Sequence, residues 1–571
     1  MLISTLVYGL SALFAADGSP TVYPNFQHLT NTRRSVTNFN VETIRGMAFD
    51  TTLPRLYAVN THGSTLVFYD QTSVSKPVKI FPTLNNPSAL YLWDEPSPGT
   101  GRFAIVVGGG THGVVKQDRD TGDIVKYLAL PSEPMDVVID KELNRAYVSC
   151  AGAFDNAAGK SGGVVMRIDL GTFTFAGGTP AGSGQIFIDG ARPTFLNIEH
   201  GSPTTTIDNF VFVTPFLSGN NTTHALNGFD EEVVSCSGLP DDDLFRIDPQ
   251  GSVTSVVSGT PALAGAGTLL TNHARNPATG KYWMLNVESL NAARHTEPDH
   301  RGRFAQNRVT IVNATGSSGP FTSWAQVGLD QGTVPGQAAP LLLPGSPAGN
   351  GDKPVSFPFG LAFHDQPASN PSGLAFVVSS TGDILRMLDK NGVTLRNIEL
   401  LAGSIPRGVL LSPDGLLVCV YAWGRNQIFV YDISALFFGT SAKPLKAFDL
   451  GIDPTAVTVK RGREIWYDAD NSKDPVTGVV GTVSCNTCHP RGGMDMLGWD
   501  LGDPPLDRKD TMVTQSLIGI EDTFPYHWRG ERTLAEFNGA FSGLLGGTDL
   551  GQPDLDAFQA FVFSLAPPAN P

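Results

Sequence analysis

The stretch of this chain best equipped for chemistry is Cys485-Asn486-Thr487-Cys488-His489. Two cysteines three positions apart, followed at once by a histidine, form the C-x-x-C-H pattern that attaches a c-type haem. Thiols about one helical turn apart can each add to one of the two vinyl groups on a porphyrin edge. The next residue, His489, then lies beneath the iron as its proximal ligand. Three other readings stand beside this one: a chance match, half of a zinc site, and a redox dithiol. Zinc asks for a second pair of Cys or His ligands nearby, and the other cysteines, Cys150, Cys236 and Cys419, lie far upstream. A redox dithiol asks for a βαβ setting, which the surrounding pattern does not offer.

The sixth position on such an iron has few candidates. After the motif the one other histidine is His527, and the methionines are Met494, Met496 and Met512. Met494 and Met496 sit so close to His489 that the chain would have to turn sharply around the haem edge. His527 is therefore the first candidate, Met512 the alternative, and an open position the third. Two histidines give a low potential, whereas methionine raises it. Arg491 and Arg529 are candidates to grip the haem propionates through bidentate hydrogen bonds, or are ordinary surface charge. A peroxidase would also need an acid–base group beside the iron, and Glu531 is the candidate.

Other polar residues invite a metal reading. His62 and His112 occupy matching places in Asn60-Thr61-His62-Gly63 and Gly110-Thr111-His112-Gly113, and His224, His295 and His300 fall in longer loops of the same kind. A histidine-lined face could hold a metal beyond iron, as copper-cluster reductases do; repeat-related turn chemistry explains the same spacing. His200, His273 and His364 fall where other repeats have Asp or Pro-Asp-Gly turns, and read as turn residues of the opposite face. Asp230-Glu231-Glu232 and Asp241-Asp242-Asp243 offer hard oxygen ligands for Ca²⁺, or are solvated loops. Cys150 and Cys236 each follow an apolar strand-like run and could pair; Cys419 reads as a small buried hydrophobe.

Most of the chain exists to position these groups. From about residue 46 to 450, short apolar runs alternate with turns: Leu56-Tyr57-Ala58-Val59, Phe103-Ala104-Ile105-Val106-Val107, Ala146-Tyr147-Val148-Ser149, Phe210-Val211-Phe212-Val213, Tyr282-Trp283-Met284-Leu285, Ala375-Phe376-Val377-Val378 and Leu416-Leu417-Val418-Cys419-Val420. Many are followed by a partner run that ends near Asp. Runs this short and regularly punctuated predict an all-β architecture. A spacing of roughly 40–50 residues is the period of a propeller blade, and seven such units fit. Residues 20–42 are strand-poor and would supply a closing strand. The pattern changes at Asp453-Pro454, where Asp can cap a helix with Pro at its first position. A second helix is predicted from Pro553, with Leu555, Phe558, Phe561, Val562 and Leu565 as an apolar stripe at helical spacing.

Composition agrees. The 571 residues include Gly 63 and Pro 41, as a turn-rich chain should, and carry a formal net charge of −15. Such an acidic chain does not suit nucleic acid or an anionic membrane surface. Residues 1–16 are apolar and end in Phe14-Ala15-Ala16, which reads as a secretory signal lacking a basic start. Haem attachment through C-x-x-C-H occurs outside the bacterial cytoplasm, so a periplasmic or secreted location is expected. No other run is apolar enough to span a membrane.

The repeats Leu56-Tyr57-Ala58-Val59-Asn60 and Ala146-Tyr147-Val148-Ser149 resemble YVTN-type surface-layer propellers. The C-terminal part resembles the cytochrome c peroxidase/MauG superfamily in its propeller-fused form. That resemblance rests on Val459-Lys460-Arg461-Gly462-Arg463-Glu464-Ile465-Trp466-Tyr467, on Ser484 to Pro490, on Thr514-Gln515-Ser516-Leu517-Ile518-Gly519, and on Phe524-Pro525-Tyr526-His527-Trp528-Arg529-Gly530-Glu531. The superfamily's peroxidases carry two C-x-x-C-H motifs where this chain has one, and Leu544-Leu545-Gly546 stand near where their axial Met falls. The expectation is thus an all-β seven-bladed propeller (20–452) followed by a small all-α cytochrome c domain (453–571) holding one covalent haem c. Its role would be one-electron transfer with a redox partner protein or small donor or acceptor, the propeller serving as docking platform. The alternative is a peroxidase-like or propeller-site oxidoreductase with the haem as relay.

Overall fold

The computed structural model describes residues 43–566, apart from 71–74, 156–159, 179–180, 190, 192, 200–209, 216–241, 259–265, 292–300, 303, 313–323, 329–352, 365–372, 440–441, 476–477, 501–510 and 528–529. Seven antiparallel sheets form a propeller: residues 47–82, 87–129, 134–189, 193–258, 269–328, 358–399 and 406–449 are blades 1 to 7. Each blade has four strands in sequence order. Blade 3 adds a fifth, Gln185–Asp189, paired to Lys160–Asp169.

The apolar runs lack alternation for a physical reason. A blade is sandwiched between two neighbours, so both faces of its middle strands are buried. Tyr57, Ala58 and Val59 of blade 1 have no exposed surface, nor do Phe376, Val377 and Val378 of blade 6. Outermost strands meet water on their free edge and carry charge there, as at Lys79 and Lys126, which discourages edge-to-edge pairing. The recurring Asp at strand ends closes turns: Asp50 Oδ1 accepts from Thr52 N (2.8 Å) and Leu53 N (3.1 Å), and Asp248 Oδ1 from Gly251 N (2.7 Å).

The ring closes without strand exchange among the described residues, because blade 7 draws all four strands from 406–449. The expected closing strand, 20–42, lies outside the described residues. Side chains help to close it: Asn60 Nδ2 of blade 1 donates to the carbonyls of Leu450 (3.1 Å) and Ile452 (2.9 Å), and Tyr421 OH of blade 7 donates to Val59 O (2.7 Å); Asp449 N also donates to Ser75 O (2.7 Å).

After residue 452 the chain is helical only in part, which corrects the all-α expectation. Helices Val457–Tyr467 and Gln552–Ser564 are joined by irregular chain, the single turn Cys485–Cys488, and a two-stranded sheet pairing Gly498–Asp500 with Thr511–Val513. This segment is not a separate body. One apolar cluster runs from Ile44, Tyr421 and Trp423 of the propeller through Trp466, Phe541 and Phe558. The first helix begins at Val457, later than expected: Asp453 Oδ1 accepts from Thr455 N (2.9 Å) in a turn ahead of it.

The two helices cross at Gly462. A Cβ there would lie 2.0 Å from Ala557 O and 2.6 Å from Phe561 Cβ. Alanine favours an isolated helix over glycine by about 1 kcal/mol, but a backbone carbonyl at that distance cannot yield, and overpacking costs about 1–3 kcal/mol or more. Gly462→Ala is therefore expected to lower stability by about 2 kcal/mol in urea melts; an unchanged midpoint would refute the tight crossing.

Candidate functional site

The crossed helices, the Cys485–Cys488 turn and the chain from 511 to 545 enclose a largely apolar cavity. It holds about 1330 Å³ of empty space including its open mouth. Trp466 stacks on Phe558 at 6.0 Å between ring centroids, and both rings form part of the wall.

The motif is pinned from several sides. Thr487 Oγ1 accepts from Ser484 N (3.0 Å), His489 N donates to Cys485 O (2.9 Å), and the buried Asn486 Oδ1 accepts from Arg491 N (3.0 Å). Arg491 takes the left-handed conformation (φ 59°) that brings the chain round this bond. Cys485 and Cys488 are not bonded to each other and both line the cavity. Burial pushes both thiols up, Cys485 to about 12, so they are stored as neutral SH groups.

His489 lines the same cavity. Its Nδ1 lies 2.8 Å from Gln515 O. A carbonyl only accepts, so Nδ1 carries the proton and the Nε2 lone pair is left to bind something else. Burial lowers its pKa and keeps the ring neutral. His527 and Met512 also line the cavity. His527 Nδ1 lies 2.7 Å from Glu531 Oε1, which by the same reasoning frees its Nε2. Leu544 and Leu545 close part of the wall with apolar surface and offer no donor.

Two expectations are corrected. Arg491 is not part of the cavity wall: its Nη2 pairs with Glu133 Oε1 of the propeller at 2.7 Å, because the left-handed turn carries it outward. Glu531 is not part of the wall either, and bonds to His527 instead. Arg529 lies outside the described residues.

Three further neighbours complete the site. Phe304, just before the third strand of blade 5 (Ala305–Val312), packs edge-on against Trp499 (5.6 Å) and completes the wall from the propeller side. Trp499 Nε1 donates to the buried Asp495 Oδ2 (2.9 Å), whose carboxyl burial pushes up to about 6. Trp466 Nε1 is buried without a hydrogen-bond partner. Of these, Trp466 alone had a sequence signal, as an aromatic within Val459-Lys460-Arg461-Gly462-Arg463-Glu464-Ile465-Trp466-Tyr467.

The segment covers the propeller face that carries His62 and His112. His62 Nε2 donates to Trp423 O (3.1 Å), while Arg463 Nη1 lies 3.4 Å from its Nδ1 and Arg463 Nη2 donates to Gly424 O (2.9 Å). His62 is thus part of the joint and no metal ligand. Asn307 Nδ2 and Ser356 Oγ both donate to Thr482 O (3.0 and 2.9 Å). His273 is a strand residue, correcting the turn reading: its ring is buried between Tyr282 OH (2.8 Å) and Phe195 O (3.1 Å). His364 ends a strand, with Nε2 on Gly415 O (2.9 Å). Asp243 is buried and accepts from Ala266 N (2.5 Å), which removes it from a calcium loop. His200, His224, His295, His300, residues 230–232, Asp241 and Cys236 lie outside the described residues. Among the described residues no three His, Cys, Asp or Glu side chains cluster as metal ligands, and Cys150 and Cys419 are buried, unpaired thiols.

No protein-family model matches the chain, and no curated protein is detectably similar to it. Among solved structures it is similar to hydrazine synthase of Kuenenia stuttgartiensis, with 16% identity over 68% of this chain and 99% of that one and a TM-score of 0.43. It is also similar to the dihydro-haem d1 dehydrogenase NirN, at 11% identity over 71% and 74% with a TM-score of 0.37. Virginiamycin B lyase of Staphylococcus aureus follows, at 11% over 68% and 93% with a TM-score of 0.37. Likeness at this level says nothing about chemistry.

Proposed function

We propose that residues 453–571 form a mono-haem cytochrome c domain docked on the propeller, and that the protein transfers single electrons outside the cytoplasm. One observation carries this reading: two unpaired thiols and two imidazoles, His489 and His527, face one apolar cavity. The donor set fits a c-type haem. Cys485 and Cys488 would form the thioethers, His489 Nε2 would be the proximal ligand and His527 the sixth, with Met512 as alternative. The orphaned Trp466 Nε1 fits a polar substituent of the ring. The haem would supply the one-electron couple. The chain's own residues orient both imidazoles through their Nδ1 bonds, and the apolar wall limits water around the iron, which tunes the potential.

The propeller would be the docking platform for a redox partner protein or a small donor or acceptor. Among the described residues no helix is long and apolar enough to cross a membrane. A periplasmic or secreted location follows from the attachment chemistry. A peroxidase-like reading rests on the His527–Glu531 bond, which could instead serve as an acid–base pair beside an open position.

Optical and EPR spectra of the purified protein test this. The expected result is one haem per chain that stays attached in denaturant, low-spin in the ferric state and unmoved by peroxide. His527→Ala should turn the iron high-spin. If Met512→Ala does so instead, methionine is the ligand; if the wild type is already high-spin and reacts with peroxide, the carrier role falls.

A further inference from the structure

The bond between His527 and Glu531 has a consequence beyond ligand identity. His489 gives its Nδ1 proton to a neutral backbone carbonyl, Gln515 O, at 2.8 Å. His527 gives its own to a carboxylate oxygen at 2.7 Å. The two imidazoles are therefore unlike as donors, although both present Nε2. A hydrogen bond to an ionised acceptor is roughly twice as strong as one between neutral groups, and it leaves more electron density on the ring.

The local chain is shaped to make this bond. Tyr526 N donates to Arg532 O at 2.9 Å and Arg532 N returns to Tyr526 O at 3.3 Å. That reciprocal pair closes a short loop and brings position 531 back beside position 527. His527 itself sits at φ +71°, a conformation that side chains other than glycine rarely adopt, and Gly530 N donates to His527 O (2.9 Å) inside the same loop. A histidine held in the left-handed region costs about 1–3 kcal/mol and persists only where its surroundings over-determine it. Phe537 packs against the ring from another side at 5.7 Å between centroids and belongs to the cavity wall. The ring is thus fixed in rotation by a carboxylate behind it and an aromatic beside it.

We infer that Glu531 is a positioning residue for His527: its carboxylate fixes the Nδ1–H tautomer, aims Nε2 into the cavity, and makes His527 the stronger of the two axial donors, so that the ferric state is favoured and the potential is set low. This rests on the bis-histidine reading above. It assigns Glu531 no contact with the iron and no proton transfer to substrate. A hydrogen-bond partner behind a metal-binding histidine commonly changes metal affinity 10–100-fold. Glu531 is partly exposed (side chain 37%), and solvent screening places its effect at the lower end.

The test uses the haem-loaded full chain, with the reduction potential and carbon monoxide binding to the ferrous protein as readouts. Glu531→Gln keeps an acceptor for Nδ1–H but removes the charge. It is expected to stay low-spin and to lose about tenfold in preference for ferric over ferrous iron, a rise of about 59 mV for a one-electron couple. Glu531→Leu removes the acceptor as well, and carbon monoxide, which must displace His527, is expected to bind at least tenfold faster. If both variants match wild type in potential and carbon monoxide binding while His527→Ala turns the iron high-spin, Glu531 has no such role and the bis-histidine reading stands. If His527→Ala also leaves the spectrum unchanged, the bis-histidine reading itself falls and the inference with it. Should Glu531→Leu fail to fold, the near-isosteric glutamine variant decides through the potential alone.

Discussion

A Cys485→Ser, Cys488→Ser double variant is expected to lose covalently held haem and, with it, the order of the segment after residue 452, while the propeller stays folded. Serine hydroxyls cannot form the thioethers, so any haem retained through the histidines would leave on denaturation. The structural cost follows from the cavity. Its walls are largely apolar and its mouth is open, so without an occupant that surface would meet water instead of a ring. Whole domains are stable by about 5–15 kcal/mol, so the loss of that burial is expected to destabilise the segment. The walls would collapse or melt: Trp466, Phe541 and Phe558, all buried, would lose the surface they are shaped to cover. The propeller's middle strands bury their faces against neighbouring blades and do not depend on it. A haem-stained denaturing gel reads the covalent link, and limited proteolysis reads the order. Retained stain would overturn the attachment chemistry. A haem-free double variant as protease-resistant after residue 452 as wild type would show that the cavity needs no occupant.

What was legible in the sequence follows from how far apart the interacting residues are. Strands such as Leu374–Ser379 and Leu417–Ala422 announce themselves because burial on both faces leaves an unbroken apolar run. The turn aspartates announce themselves because their side chains bond two or three residues ahead. His489, His527 and Met512 make a short list of candidates because chemistry limits which residue types can serve as ligands. Local cues failed where a distant partner decides. Arg491 reads as a propionate anchor until Glu133, from a propeller loop, is seen to hold it. Phe304 reaches the cavity from blade 5 with no pattern to say so. His273 sits at a repeat position that elsewhere holds a turn residue, yet Tyr282 and the Phe195 carbonyl, both set by tertiary packing, bury it in a strand. The start of the first helix was misjudged for a similar reason. Asp453 and Pro454 look like a cap, but Asp453 is also drawn to Lys460 (3.1 Å) and Arg463 (3.6 Å), which belong to the joint with the propeller.

That joint carries the second large effect. Arg463 is 1% exposed, and its guanidinium lies against Asp453, the Gly424 carbonyl, His62, and the face of Trp423 at 5.0 Å. Arg463→Met keeps the volume but strands the Asp453 carboxylate, 7% exposed, with Lys460 as its remaining named cation. Breaking a buried pair from one side costs about 3–5 kcal/mol, and the partly exposed Lys460 offsets part of it, so a loss of about 3 kcal/mol is expected at pH 7. The pH dependence should move the other way. Burial first, and then the Arg463 charge, hold the His62 ring down at about 3, against about 6.5 in an unfolded chain. Between those values the unfolded chain binds a proton that the folded one refuses, so stability falls as the pH drops from about 6.5 toward 3. Burial pushes the Asp453 carboxyl up, but attraction to His62 once that ring is protonated, the Arg463 charge and the bond from Thr455 outweigh it and hold it low, at about 2. Its contribution is present above about 4 and is lost as the pH falls through the folded value. Without Arg463, His62 can take up its proton beside Asp453, its folded pKa rises toward the unfolded one, and the acid slope flattens. Urea melts of wild type and Arg463→Met from pH 7 to 4 should therefore converge toward low pH. Parallel curves would mean that the arginine acts through packing alone and that its charge does not couple to His62.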